Sequence, residues 1–314
     1  MPVSVFDGLF PACEPYRSGY LAVGEGHEVY WEECGSPLGK PVVFLHGGPG
    51  SGCNGAQRRL FDPARYRAIL FDQRGCGRSR PLGETLANTT DRLIGDLEKL
   101  RSWLDIPAWL VFGGSWGSTL GLAYAQAHPD VVSGLVLRGI FLGSREEIMR
   151  YLSPSARPSA WPALEKALGG KGDLLETCYH AIESGHGERS ITAATAWLNY
   201  ERDFMGEAPL CDPPDSTGLA KVRVQVHYLR HDCFLAPGAL LRGIERIRRI
   251  PAALVQGLAD AVCPPAVGER LHDIWPEARW LPISEGGHGG LSPTIAAATL
   301  DALEWVASSA TGPR

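Results

Sequence analysis

The sequence predicts an α/β fold in which a mostly parallel central sheet is covered by helices on both faces and carries an inserted, mainly helical cap. Three observations predict it. Short apolar runs alternate with amphipathic helical patterns, which implies parallel strands joined by crossover helices. Glycine-rich segments carrying Ser115 and His288, and the segment Gly257 to Asp260, each follow such a run, where open α/β sheets build their sites. Finally, the stretch from Phe141 to Ile250 far exceeds the about 30 residues that a βαβ unit needs.

Taken in order, Gly19 to Cys34 reads as a hairpin with Gly24-Glu25-Gly26 as its turn. Val42-Val43-Phe44-Leu45 and Ala68-Ile69-Leu70-Phe71 read as buried strands. Leu93, Ile94, Leu97, Leu100, Trp103 and Leu104 mark one face of an amphipathic helix. Trp109-Leu110-Val111-Phe112 is a strand, followed by a helical pattern beginning near Thr119 and by the strand Leu135-Val136-Leu137. The alternation resumes only at Ala253-Leu254-Val255-Gln256, and Ala278 to Ile283 reads as the last strand. Residues 1–140 and 251–314 therefore form the catalytic domain, and 141–250 form the cap. The cap is broken by Pro154, Pro158, Pro162, Pro209, Pro213 and Pro214. Trp161, Trp197, Tyr200 and Phe204 argue that it is folded rather than a disordered insertion.

The chemistry starts from Gly113-Gly114-Ser115-Trp116-Gly117, a G-x-S-x-G pattern between a buried strand and a helix. So tight a turn strains the serine backbone and tolerates only small neighbours, leaving the hydroxyl exposed over the helix's positive end. Upstream, His46-Gly47-Gly48-Pro49-Gly50 ends a strand and suits backbone donors aimed at an oxyanion. The N–H groups of Gly48 and Trp116 are the two donors expected. Asp260 closes the strand at Ala253, and His288 sits in Gly286-Gly287-His288-Gly289-Gly290 after the last strand. The order Ser, Asp, His matches a nucleophile, an orienting acid and a general base.

His27, His128, His180, His186, His227, His231 and His272 do not end a core strand. No H-E-x-x-H spacing is present, and neither a metal nor a dinucleotide cofactor is expected. The net charge of −5 gives no reason to expect a nucleic-acid or anionic-membrane partner. No apolar run approaches the ~20 residues of a membrane span. The N-terminus lacks a basic segment and a long apolar core, and the eight scattered cysteines read as reduced thiols. These features point to a cytoplasmic enzyme, and the resemblance described below implies a small peptide or small-molecule substrate. They leave the oligomeric state open.

With those residues in view, the sequence resembles the proline iminopeptidases (prolyl aminopeptidases) of the α/β-hydrolase fold. The match runs from Tyr30-Trp31-Glu32-Glu33-Cys34-Gly35 to the strand around Phe141, and again from Ile250-Pro251 to His288. It includes His46 to Gly50, Asp72-Gln73-Arg74-Gly75-Cys76-Gly77-Arg78-Ser79 and Gly113 to Ser118. The arginines of the Asp72 segment read as structural ion-pair partners. The resemblance implies a serine exopeptidase that releases N-terminal proline through an acyl-enzyme. It further implies an apolar pocket for the pyrrolidine ring at Phe141, Tyr151 and Cys263, and an amine-binding glutamate at Glu201.

The cap also departs from the family pattern. The second amine-binding glutamate position falls on Gln225, a neighbouring pocket aromatic is Leu229, and Tyr200 stands where the family usually has tryptophan. A neutral amide accepts a hydrogen bond from an amine without balancing its charge, and losing a buried charged partner costs ~2–5 kcal/mol of binding. An alternative therefore keeps the same triad but acts on another amino-acid amide, an ester or a specialised metabolite. An acidic residue elsewhere in the cap, such as Asp232, is a candidate to replace the missing charge. A catalytically silent scaffold is the third reading, and the complete triad counts against it.

Overall fold

The hairpin comes first: β1 (Arg17–Gly24) and β2 (His27–Gly35) pair antiparallel. They are joined through Glu25 and Gly26, both at positive φ, as a tight two-residue hairpin turn requires. Next in the chain are β3 (Lys40–Leu45), α1 (Gly55–Arg58), β4 (Tyr66–Phe71) and α2 (Thr90–Trp103). They are followed by β5 (Trp109–Ser115), α3 (Trp116–Ala127) and β6 (Val132–Ile140). After β6 the described chain is helical through α4 (Arg145–Tyr151), α5 (Trp161–Ala167), α6 (Leu174–Glu183), α7 (Glu188–Phe204), α8 (Ser216–Arg230) and α9 (Ala239–Arg242). Then β7 (Ala252–Gly257), α10 (Pro265–Ile274), β8 (Arg279–Ile283) and α11 (Pro293–Ser309) complete it. This computed structural model describes residues 8–157, 159–169, 172–183 and 187–310. The N-terminal heptapeptide, Pro158 and His186 lie outside the described residues.

The eight strands form one sheet in the order β1-β2-β4-β3-β5-β6-β7-β8. The β1–β2 and β2–β4 pairings are antiparallel and every other pairing is parallel. Alternation along the strands sends successive side chains to opposite faces. Val43, Leu45, Val111, Leu137 and Leu254 thus join one core, with α2 and α3. Val42, Phe44, Phe112, Val136 and Val255 join the other, with Leu303 and Val306 of α11. Each fully buried Val or Leu contributes roughly 1.5–3 kcal/mol, before the opposing chain entropy.

The helix expected over Leu93 to Leu104 is α2, which buries Leu93, Leu97 and Leu100. Trp103 departs from that expectation: on the margin of the stripe and at the last helical residue, it is 56% exposed. The helices between β6 and β7 bury Trp197, Tyr200 and Phe204 among themselves. Trp161 lies only partly buried against that cluster, edge-on to Tyr200. The Asp72–Ser79 segment follows β4 and forms an ion-pair brace. Arg74 pairs with Asp96, both almost fully buried, and Arg78 pairs with Asp72 and Glu32.

Because β3, β5, β6, β7 and β8 run parallel, their C-terminal ends emerge on one edge of the sheet. The glycine loop after β3, Ser115, Phe141, Asp260 and His288 all follow from those ends.

Candidate active site

Ser115 ends β5 and immediately precedes α3, with φ 57° and ψ −126°. This left-handed conformation strains any residue other than glycine, and the surrounding packing must hold it. The helix begins at once, at Trp116, rather than near Thr119 as the residue pattern suggests. The flanking glycines are steric requirements. A Cβ on Gly113 would lie 2.1 Å from the Gly117 carbonyl oxygen, and one on Gly117 would lie 2.1 Å from that of Leu45. Trp116 is the first helical residue, so its N–H has no acceptor within the helix. Ser118 ties the elbow to β6: its hydroxyl donates to the Ser115 carbonyl at 2.7 Å and accepts the Phe141 N–H at 3.1 Å.

Asp260 and His288 come together across the ends of β7 and β8. The Asp260 side chain is buried, and its Oδ2 lies 2.8 Å from His288 Nδ1. Its Oδ1 accepts the backbone N–H groups of Val262 and Cys263 at 2.9 and 2.8 Å. A carboxylate only accepts, so Nδ1 carries the imidazole proton and the Nε2 lone pair is left free. His288, like Ser115, lines the cavity described below. Arg138 on β6 fixes the histidine loop by donating to the His288 carbonyl at 2.5 Å. Burial pulls the Arg138 pKa down, while the Asp260 charge opposes that shift.

The partner found for the Ser115 hydroxyl is Cys263 Sγ at 4.0 Å, and no hydrogen bond joins Ser115 to His288 in this structure. Such bonds are often long in unliganded sites and tighten with substrate. Burial and the nearby Asp260 push the Cys263 thiol well above its ordinary value, which keeps it protonated and a poor nucleophile.

The loop after β3 contributes Gly47 and Gly48 to the cavity. A side chain on Gly48, at φ +115°, would meet Gly50 N at 2.7 Å. The loop is anchored by a residue that sequence reasoning left unassigned. Gln73 accepts from Trp116 Nε1 at 2.8 Å, donates to the His46 carbonyl at 3.0 Å, and donates its backbone N–H to His46 Nε2. This brace ties the segments that carry the two expected oxyanion donors to one side chain. Burial holds His46 below its ordinary pKa, so the ring is neutral and receives that N–H.

The cavity holds about 430 Å³ and is bordered by Phe141, Tyr151 and Cys263 on its apolar side. Leu229 is buried in α8 but is not among the lining residues. Glu201 and Gln225 line it, with a different hydrogen-bond pattern from the one the sequence suggests. Glu201 does not pair with Arg202, which instead bridges to Glu207 at 2.9 Å. Its Oε1 accepts from Gln225 Nε2 at 2.7 Å and its Oε2 from Lys221 Nζ at 2.8 Å. The Gln225 carbonyl, expected to face a substrate amine, accepts from Trp197 Nε1 at 3.1 Å. Asp232 supplies no charge here: it pairs with Arg145 at 3.6 Å and does not border the cavity. Lys221 was missed, although it lies one helical turn before Gln225 on α8 and so on the same face. Met205 and Leu210, past the end of α7, complete the wall from an irregular segment whose periodicity carried no signal.

A strained serine, an imidazole with a free Nε2, a buried acid and two glycine-lined donor sites can perform acyl transfer. Comparison with known proteins agrees. Residues 40–292 match the family model described as the alpha/beta hydrolase fold. The chain is 42% identical to a probable proline iminopeptidase of Leptolyngbya boryana, over 94% of this chain and 96% of that relative. It is 43% identical to a proline iminopeptidase of Arabidopsis thaliana, over 94% of this chain and 81% of that one. Among solved structures, VinJ superposes with a TM-score of 0.66 at 20% identity, covering 94% of this chain and 99% of the other. A proline iminopeptidase-related protein of Thermus thermophilus superposes at 0.57 and 22% identity, covering 93% and 99%. At those identities the two structures speak to the fold alone. The chain belongs to the proline iminopeptidase family of α/β hydrolases.

Proposed function

We propose that this chain is a serine exopeptidase that releases N-terminal proline from short peptides. The observation that carries the reading is the convergence on one cavity of Ser115, the Asp260-oriented His288 and the carboxylate of Glu201. In this reading residues 141–250 are a cap on the catalytic domain formed by 1–140 and 251–314. The cap's Glu201 receives the substrate ammonium, while Phe141, Tyr151 and Cys263 enclose the pyrrolidine ring.

Ser115 Oγ attacks the prolyl carbonyl carbon as His288 Nε2 takes its proton. The oxyanion that forms accepts from the N–H groups of Gly48 and Trp116, each such donor contributing ~10²–10³ in rate. Asp260 holds the imidazole tautomer and stabilises the imidazolium. His288 then returns the proton to the leaving amine as the C–N bond breaks, which leaves a prolyl ester on Ser115. A water, deprotonated by His288, cleaves that ester, and proline leaves with the serine restored. In this reading Glu201, Lys221 and Gln225 hold the substrate amine in place, and a longer N-terminal extension would have to displace their contacts, so cleavage stops at one residue. The free cysteines fit a reducing compartment, and the reading places the enzyme in the cytoplasm.

Mass spectrometry of a Pro-Ala-Ala digest tests the reading. Free proline and Ala-Ala are expected from the wild type and neither from Ser115→Ala. Cleavage by Ser115→Ala at the wild-type rate, or internal cleavage of the peptide, would contradict it.

A further inference from the structure

The amine end of the cavity already contains an ammonium group. Lys221 Nζ sits 2.8 Å from Glu201 Oε2, with side chains only 29% and 17% exposed. Its backbone is held in place, because the Lys221 carbonyl lies against Gly50 of the glycine loop, where a Cβ would come within 2.5 Å of it. The other Glu201 oxygen accepts from Gln225 Nε2. That amide's orientation is fixed from both sides: Trp197 Nε1 can only donate and Glu201 can only accept, so Gln225 turns NH₂ toward the carboxylate. Gln225 therefore offers Glu201 another donor and brings no charge to a substrate cation.

The remaining charges do not alter this balance. Arg138, Arg202 and Lys221 face Glu147, Glu201 and Glu207 around the cavity, three cations against three carboxylates. Arg202 and Glu207 satisfy each other. Glu147 caps α4 through Ser144 and the Leu142 N–H. Glu201 is thus the carboxylate positioned for a substrate amine, and Lys221 cancels its charge.

We propose that Lys221 is a specificity-determining residue: by neutralising Glu201 from within, it lowers the preference of the site for a cationic N-terminal amine over an uncharged acyl group of the same shape. The inference rests on the proposed prolyl aminopeptidase reading. The substrate class it adds is that of uncharged five-membered-ring carboxamides, accepted alongside prolyl ones.

The test is the ratio of kcat/KM for proline 4-nitroanilide to kcat/KM for cyclopentanecarboxylic acid 4-nitroanilide, which has proline's shape without the amine. In Lys221→Met the ratio is expected to rise about tenfold, the scale of one charge-assisted hydrogen bond restored to the substrate, and mainly through KM. Lys221→Arg, which keeps the charge, is expected to hold the wild-type ratio. Adding Glu201→Gln to Lys221→Met is expected to erase the gain. An unchanged or lowered ratio in Lys221→Met would overturn the proposal, given native circular dichroism and fluorophosphonate labelling at Ser115. Failure of the underlying reading looks different. In that case neither amide is turned over by the wild type or by Lys221→Met while p-nitrophenyl esters are, and the proposal falls with it.

Discussion

Replacing Asp260 by Asn should remove nearly all turnover while leaving the fold in place, and the hydrogen bonds explain why. Oδ1 of Asp260 accepts two backbone N–H groups, from Val262 and Cys263, and Oδ2 faces His288 Nδ1. An asparagine can keep the first two bonds only by placing its oxygen at the Oδ1 position. Its NH₂ then points at His288 Nδ1 and must find a lone pair there. The imidazole proton is driven to Nε2, and the imidazole no longer has a free lone pair there to act as a base. The opposite orientation sets an NH₂ against two N–H donors and leaves both unsatisfied, at ~1–3 kcal/mol each. The wrong tautomer therefore dominates, and kcat should fall about 10⁴-fold, or roughly 5.5 kcal/mol in activation free energy. The assay is kcat on proline 4-nitroanilide and on a p-nitrophenyl ester, with thermal unfolding measured in parallel. Asp260→Ala, which orphans both backbone donors, should unfold at a lower temperature than Asp260→Asn. If Asp260→Asn keeps its activity within tenfold of wild type, the Asp260–His288 pair does not set the tautomer and the argument is wrong.

Other expectations follow from the same geometry. Gln225→Glu adds a second carboxylate beside Glu201 and keeps an acceptor for Trp197 Nε1; kcat/KM for proline 4-nitroanilide should rise about tenfold, and no change would take position 225 out of the amine site. Gly117→Ala drives a methyl into the Leu45 carbonyl and should cost at least about 2 kcal/mol in urea unfolding, whereas a neutral effect would contradict the close approach. Burial holds His46, and likewise His227, below the ordinary imidazole value of 6.5. The unfolded chain therefore binds more protons between their folded-state pKa values and 6.5, so stability falls as pH drops through 6.5 and levels off below the folded values. His46→Asn should flatten that slope, and parallel slopes would refute the assignment to His46.

The sheet edge that carries Ser115, Asp260 and His288 could be read from the chain because its determinants are local. An apolar run ending in glycines around Ser115, and two more ending at Asp260 and His288, specify strand ends, and parallel pairing then places them on one edge. The Glu201 end of the cavity was less legible because its contacts cross between helices. Glu201 lies next to Arg202 in sequence, yet meets Lys221 and Gln225 on α8 instead. Only the one-turn spacing of Lys221 and Gln225 hinted at this, and it gave no indication that α7 faces them. Trp197 illustrates the same limit: its burial was foreseeable, but its hold on the Gln225 carbonyl required the packed α7–α8 pair. Trp103 went the other way, since helical period places it on the stripe's margin without telling where the underlying core ends.

The most direct test of the account is kcat/KM across 4-nitroanilides of proline, alanine and N-acetylproline together with p-nitrophenyl esters of simple acids. The account predicts that free proline is the best amide, that alanine is weaker because it leaves the apolar pocket unfilled, and that N-acetylproline is refused because its acetyl group would have to displace the Glu201–Lys221–Gln225 contacts. Equal or faster turnover of N-acetylproline, or ester turnover with no prolyl activity, would contradict it.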